Sequence, residues 1–153
     1  MKIAVMGSGG WGTALALVLL ENGHDVTLWS YTEEESAVLR ERGENPMLKG
    51  VPLPEGLRLT SDPACASGCG AVVLATPSFA VRTTARTLAP LLEPGAVLVS
   101  VSKGIEKDTS LTLTESIALE VGVGHPMVAL SGPSHAEEVG RGVPTAVVSA
   151  SRD

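Results

Sequence analysis

Six residues, Gly7-Ser8-Gly9-Gly10-Trp11-Gly12, constrain this chain more than anything else in it. They fit G-x-G-x-x-G and sit where that pattern has a mechanism, between a strand-like run (Lys2 to Met6) and a helical pattern (Trp11 to Glu21). Gly7 permits a tight turn, Gly9 lets the backbone approach a pyrophosphate, and Gly12 lets the helix pack close to the strand. The helix N-terminus then offers N–H groups and a partial positive charge to phosphates. The stretch from Gly7 to Gly12, Ser8 included, is therefore expected to cradle a dinucleotide. The alternative is a glycine-rich turn that binds nothing, or a mononucleotide.

Further strands without polar alternation are expected at Val26 to Trp29, Ala71 to Ala75, Ala96 to Val101, Met127 to Leu130 and Thr145 to Ser149. Continuous apolar runs of this kind suit strands covered on both faces. Helical patterns lie between them. Trp11 to Glu21 stops at Asn22-Gly23, and Glu33 to Arg42 opens with Thr32 and Glu35 in capping-box spacing. Phe79 to Leu92 and Leu111 to Val121 follow. Glu44 to Gly56, rich in Pro and Gly, reads as an ordered loop. Asp62-Pro63 reads as the start of a short helix carrying Cys65 and Cys69. The alternation predicts an α/β fold with a doubly wound, mostly parallel sheet of the Rossmann type.

With 153 residues, one domain is expected, a dinucleotide-binding unit spanning residues 1–153. The chain stops right after a strand with no closing helix, as a domain truncated before a further one would. The longest apolar run, Ala14 to Leu20, is far short of a bilayer span, so no membrane insertion is expected. Absence of a signal-peptide core makes the cytoplasm the default compartment. Eleven Lys+Arg against 17 Asp+Glu give a net charge of -6, which argues against nucleic acid as a partner. The cysteines stand far in sequence from His24, His125 and His135, so no metal ligand set is expected.

Beyond the second strand, an Asp or Glu usually meets a free ribose 2'-hydroxyl. The strand ends instead in Ser30-Tyr31-Thr32, with no Arg to grip a 2'-phosphate. Ser30 is expected to hydrogen-bond either form of the ribose and Tyr31 to lie against the adenine, so the cofactor is NAD or NADP, with NADP at least tolerated. Glu33 to Glu35 read as an acidic first turn favoured by the helix dipole.

Three further turns fall on the edge where ligands bind in open α/β sheets, the carboxyl ends of the strands. Thr76-Pro77-Ser78-Phe79 has two readings: Pro77 and Phe79 line the cofactor channel, or Ser78 caps the next helix while Phe79 packs inward. Ser102-Lys103-Gly104 brings an ammonium to the mouth of the site, able to neutralise a phosphate or polarise a carbonyl, unless it is a solvated loop. Ser131-Gly132-Pro133-Ser134 adds small residues and backbone donors.

Taken in order, Gly7 to Ala16, Asn45-Pro46, Ser102-Lys103-Gly104-Ile105-Glu106, Ser131-Gly132-Pro133-Ser134-His135-Ala136-Glu137-Glu138-Val139 and Pro144-Thr145-Ala146 resemble the bacterial NAD(P)-dependent glycerol-3-phosphate dehydrogenases along essentially the whole chain. The resemblance implies hydride transfer between the nicotinamide and the central carbon of glycerol 3-phosphate or dihydroxyacetone phosphate, a phosphorylated small-molecule substrate. It puts Gly10, Trp11, Tyr31 and Ala136 at cofactor positions, Lys103 at one touching cofactor and substrate, and Gly132 and Ser134 at substrate positions. Asn45 to Gly50 departs from the family pattern, being one residue shorter and lacking its usual tyrosine. The family's proton-transferring lysine belongs to a helical second domain, so these residues alone are expected to bind cofactor without turnover. A homodimer of the full-length protein is left open. The rival readings are another two-domain hydroxy-acid dehydrogenase and a regulatory module that senses NAD(P).

Overall fold

A computed structural model of the chain describes residues 1–152; Asp153, the last residue of the expected unit, lies outside them. Among the described residues one sheet of seven strands runs in the order β3-β2-β1-β4-β5-β6-β7. The strands are β1 (Lys2–Met6), β2 (Asp25–Trp29), β3 (Arg58–Thr60), β4 (Ala71–Leu74), β5 (Val97–Ser100), β6 (Met127–Ser131) and β7 (Val148–Ser151). All pairings are parallel except β6 with β7, which is antiparallel. The helices are α1 (Gly10–Glu21), α2 (Glu33–Arg42), α3 (Val81–Leu88), α4 (Leu113–Val121) and α5 (Ala136–Gly140). This is the doubly wound α/β architecture that the strand-helix alternation predicts.

The alternation of side chains along each strand divides the core in two. Ala4 and Met6 of β1 and Val72 and Leu74 of β4 pack with Val81, Ala85 and Leu88 of α3 and with Ile117 of α4. Ile3 and Val5 of β1 and Val73 of β4 face the other way, onto Ala16 of α1 and Leu39 of α2. Burial on both faces is why these strands read as unbroken apolar runs. No helix among the described residues is long and apolar enough to cross a membrane.

Several local expectations shift. The capping hydroxyl of Thr32 accepts from Glu35 N at 3.2 Å, but the Glu35 carboxylate reaches past Thr32 and accepts from Tyr31 N at 3.1 Å. The pattern from Phe79 to Leu92 is three pieces, because 3₁₀ turns at Ser78–Ala80 and Ala89–Leu91 flank α3. The short helix after Asp62 is a 3₁₀ turn, Pro63–Ala66, that carries Cys65 and ends before Cys69. The last strand begins at Val148 rather than Thr145, where pairing with β6 becomes available. Burial pushes the Cys65 thiol up to about 11 and raises Cys69 as well, which leaves both poorly nucleophilic.

Candidate functional site

The strand order reverses between β1 and β4, and the turn after β1 opens there at the carboxyl edge of the sheet. Gly7 N donates to Trp29 O at 3.0 Å, pinning the turn to the end of β2. With φ at 128°, Gly7 occupies backbone space that other residues avoid, and a Cβ there would sit 2.6 Å from Ala75 O. A Cβ at Gly12 would lie 2.0 Å from Gly7 O, and one at Gly10 would lie 2.8 Å from Met47 O. All three glycines are required by packing alone.

Gly9 differs. Its backbone is extended, φ -64° and ψ 172°, a conformation open to any residue, and a Cβ there would meet nothing within 4 Å. Gly9 is also the N-cap of α1, contributes no capping side chain, and precedes N–H groups that the helix itself cannot pair. The cradle therefore has a bare backbone surface, positive in character and open at its middle glycine. A pyrophosphate fits those properties, since it requires donors without side chains in front of them. Thr76 Oγ1, buried at the end of β4 beside this turn, has no partner in the protein.

Around the cradle, the edge positions divide. Tyr31 is 79% exposed after β2, its ring set edge-on to Trp29 with centroids 6.1 Å apart. Ser30 is fully buried, its hydroxyl unpartnered, so the expected contact between Ser30 and the ribose is corrected: the side chain points into the protein layer, and Tyr31 is the one that faces out. Glu33 is engaged locally, accepting from Ser61 Oγ at 2.6 Å and pairing with Arg40, and these contacts hold its carboxyl below the usual range. The Glu33 carboxylate is thus taken up by Ser61 and Arg40 of the protein itself.

After β4, Pro77 is exposed and Phe79 is 87% exposed. This removes the inward-packing alternative for Phe79. Ser78 caps nothing either, because it is the first residue of the 3₁₀ turn and not its N-cap. An exposed aromatic on the ligand edge is left, consistent with the channel reading.

Lys103, Gly132 and Ser134 do come together. The Lys103 ammonium donates to Gly132 O at 3.1 Å, and Ser134 N donates to the same oxygen at 2.9 Å. Gly132 is itself obligatory, because a Cβ would sit 2.9 Å from Ala146 O. The lysine loop is fixed from below by Ser102, whose hydroxyl donates to Thr76 O at 2.5 Å. Four residues on, Glu106 holds Arg82 of α3 through two bonds of 2.6 and 2.7 Å. Ala136 starts α5 and lies 3.5 Å from where a Gly10 Cβ would be, so the turn after β6 and the glycine turn adjoin.

One contributor escapes sequence reading. Asn45, 2% exposed, lies in the Glu44 to Gly56 loop and bonds both Ser8 O (2.8 Å) and Thr13 Oγ1 (2.6 Å) from its Nδ2. A buried partner for a carbonyl 37 positions away leaves no periodic or compositional trace. The only sequence signal is its place in the Asn45-Pro46 motif. Among the described residues no group of three or more His, Cys, Asp or Glu is placed to hold a metal ion.

Comparison with known proteins agrees with this geometry. A family model described as NAD-dependent glycerol-3-phosphate dehydrogenase N-terminus matches residues 2–153. The chain is 50% identical to a glycerol-3-phosphate dehydrogenase [NAD(P)+] of Moorella thermoacetica over 99% of its own length and 45% of the relative's. With the Fusobacterium nucleatum protein of the same name it shares 44% identity over 97% of this chain and 45% of that one. The crystal structure of a glycerol-3-phosphate dehydrogenase from Coxiella burnetii superposes with a TM-score of 0.91 at 38% identity, covering 99% of this chain and 46% of that one. The chain thus spans somewhat under half the length of these relatives.

Proposed function

This chain belongs to the family of N-terminal domains of NAD-dependent glycerol-3-phosphate dehydrogenases, and from that premise we propose that residues 1–153 are the cofactor-binding unit of a longer enzyme. That enzyme would interconvert dihydroxyacetone phosphate and glycerol 3-phosphate with NAD(H) or NADP(H). The observation that carries the reading is Gly9: the fold demands glycine at 7, 10 and 12 but not at 9, where the missing side chain serves only something that approaches from outside. When bound, the nicotinamide donates or accepts the hydride.

The residues of this chain divide the remaining work. Gly7 to Gly12 would hold the pyrophosphate with backbone donors and the α1 N-terminus. Tyr31 would lie along the adenine end, and Pro77, Phe79 and Ala136 along the channel toward the nicotinamide. Lys103 would leave the carbonyl of Gly132 and place its ammonium on the substrate oxygen, where negative charge grows as the carbonyl is reduced. Gly132 and Ser134 would border the substrate. The proton is supplied by a group outside this chain, on a helical second domain, so the chain alone should bind cofactor with negligible turnover. The two free thiols agree with a cytoplasmic setting.

Steady-state kinetics on the longer enzyme test this reading. Lys103→Met should lower kcat/KM for dihydroxyacetone phosphate by about 100-fold or more, the scale of losing one preorganised charge-stabilising donor, with a far smaller change in cofactor affinity. Wild-type turnover in that variant would return Lys103 to the solvated surface.

A further inference from the structure

Asn45 makes three hydrogen bonds while only 2% exposed, and they fix its amide without ambiguity. Nδ2 must donate because Ser8 O, at 2.8 Å, can only accept, and Oδ1 must accept because Met47 N, at 2.9 Å, can only donate. The second donation goes to Thr13 Oγ1 in the first turn of α1. The loop carrying Asn45 is itself wedged in place by Leu48, fully buried against Ala14 of α1 and against Val139 and Gly140 of α5.

The consequence lies in the peptide that Asn45 grips. Ser8 C=O and Gly9 N–H belong to one planar trans unit and point in opposite directions. Drawing the carbonyl inward onto Asn45 Nδ2 turns the Gly9 N–H the opposite way, at a residue whose Cβ would meet nothing within 4 Å. We propose that Asn45 is a positioning residue for cofactor binding: it locks the Ser8–Gly9 peptide so that Gly9 N–H stands ready for the pyrophosphate. The inference rests on the dinucleotide reading above and adds to it a residue outside the glycine motif. Preorganising that peptide spares the bound state the ordering of a glycine-rich turn, the most costly kind of backbone to order.

Asn45→Asp keeps the size and the Met47 contact but sets an oxygen lone pair against Ser8 O. Titration of the 153-residue chain with NADH should show affinity weakened about tenfold or more, since Ser8 O loses its 2.8 Å donor and keeps only Thr13 Oγ1 at 3.5 Å. Leu88→Ala, a buried change in α3 on the opposite face, serves as a destabilised control and should bind within about twofold of wild type. In amide-resolved NMR of the wild type, NADH should shift the Gly9 resonance while the Asn45 Nδ2 protons remain slow to exchange. Should Asn45→Asp not fold, that wild-type spectrum decides: fast-exchanging Nδ2 protons or an unmoved Gly9 amide would overturn the proposal. Equal NADH affinity in wild type and Asn45→Asp, or equal losses in both variants, would overturn it too. Wild type that does not bind NADH at all would bring down the functional reading and this inference together, which separates the two failures.

Discussion

Within the glycine turn, four residues of one type have two different reasons to be there. Gly12 is fixed by the fold: an added methyl would lie 2.0 Å from the Gly7 carbonyl oxygen and 3.1 Å from Ala75 Cβ, where α1 meets the sheet. Gly12→Ala should therefore destabilise the chain by about 1–3 kcal/mol, the usual range for overpacking a rigid core, and a denaturant melt would read it directly. An unchanged midpoint would mean that α1 can slide away from β1. G-x-G-x-x-G is legible in the sequence because its spacing between a strand and a helix is itself the signal, although only Gly7 answers to a positive φ, Gly10 and Gly12 answer to close contacts, and Gly9 to neither. Ser30 was misplaced for the opposite reason. Its burial depends on how the chain after β2 is covered, with Ser30 N bound to Thr60 O at 2.8 Å across a strand that the sequence does not announce.

At the scale of elements, that strand shows where sequence patterning fails. β3 is only Arg58-Leu59-Thr60, too short for periodicity, and forms because the edge of β2 offers it parallel partners at Thr27, Leu28 and Trp29. Five-residue α5 escapes for the same reason and is held by packing against α1 and Leu48. The long apolar strands and α1, by contrast, carry their burial in their composition. Between elements, Arg82 and Arg86 of α3 hold Glu106 of the lysine loop and Glu120 of α4, and these bonds keep both carboxyls below the usual range. A depressed carboxylate pKa adds stability that is complete above the unfolded value, about 4.3, and is lost as pH falls through the folded one. Glu106→Gln should accordingly lower the melting temperature at pH 7, and the gap to wild type should close as the pH is taken below about 4. A gap that persists in acid would assign the loss to packing and not to charge.

Over the whole molecule, the sheet brings five separated turns to one edge: the glycine cradle, Tyr31, Pro77 with Phe79, Lys103, and Gly132 with Ser134. On the proposed function, this edge holds a nicotinamide dinucleotide through bare backbone at Gly9. Gly9→Ala separates binding from folding, because the backbone angles admit alanine and its methyl touches nothing in the protein. The weaker N-cap preference of alanine and its lower unfolded-state entropy roughly offset, so the melting temperature should move by less than about 3 °C. Calorimetric titration of wild type and Gly9→Ala with NADH is the most direct measurement. Heat of binding is expected for the wild type, with affinity about tenfold or more weaker for the equally stable variant; equal affinity in the two would show that the dinucleotide does not rest on Gly9.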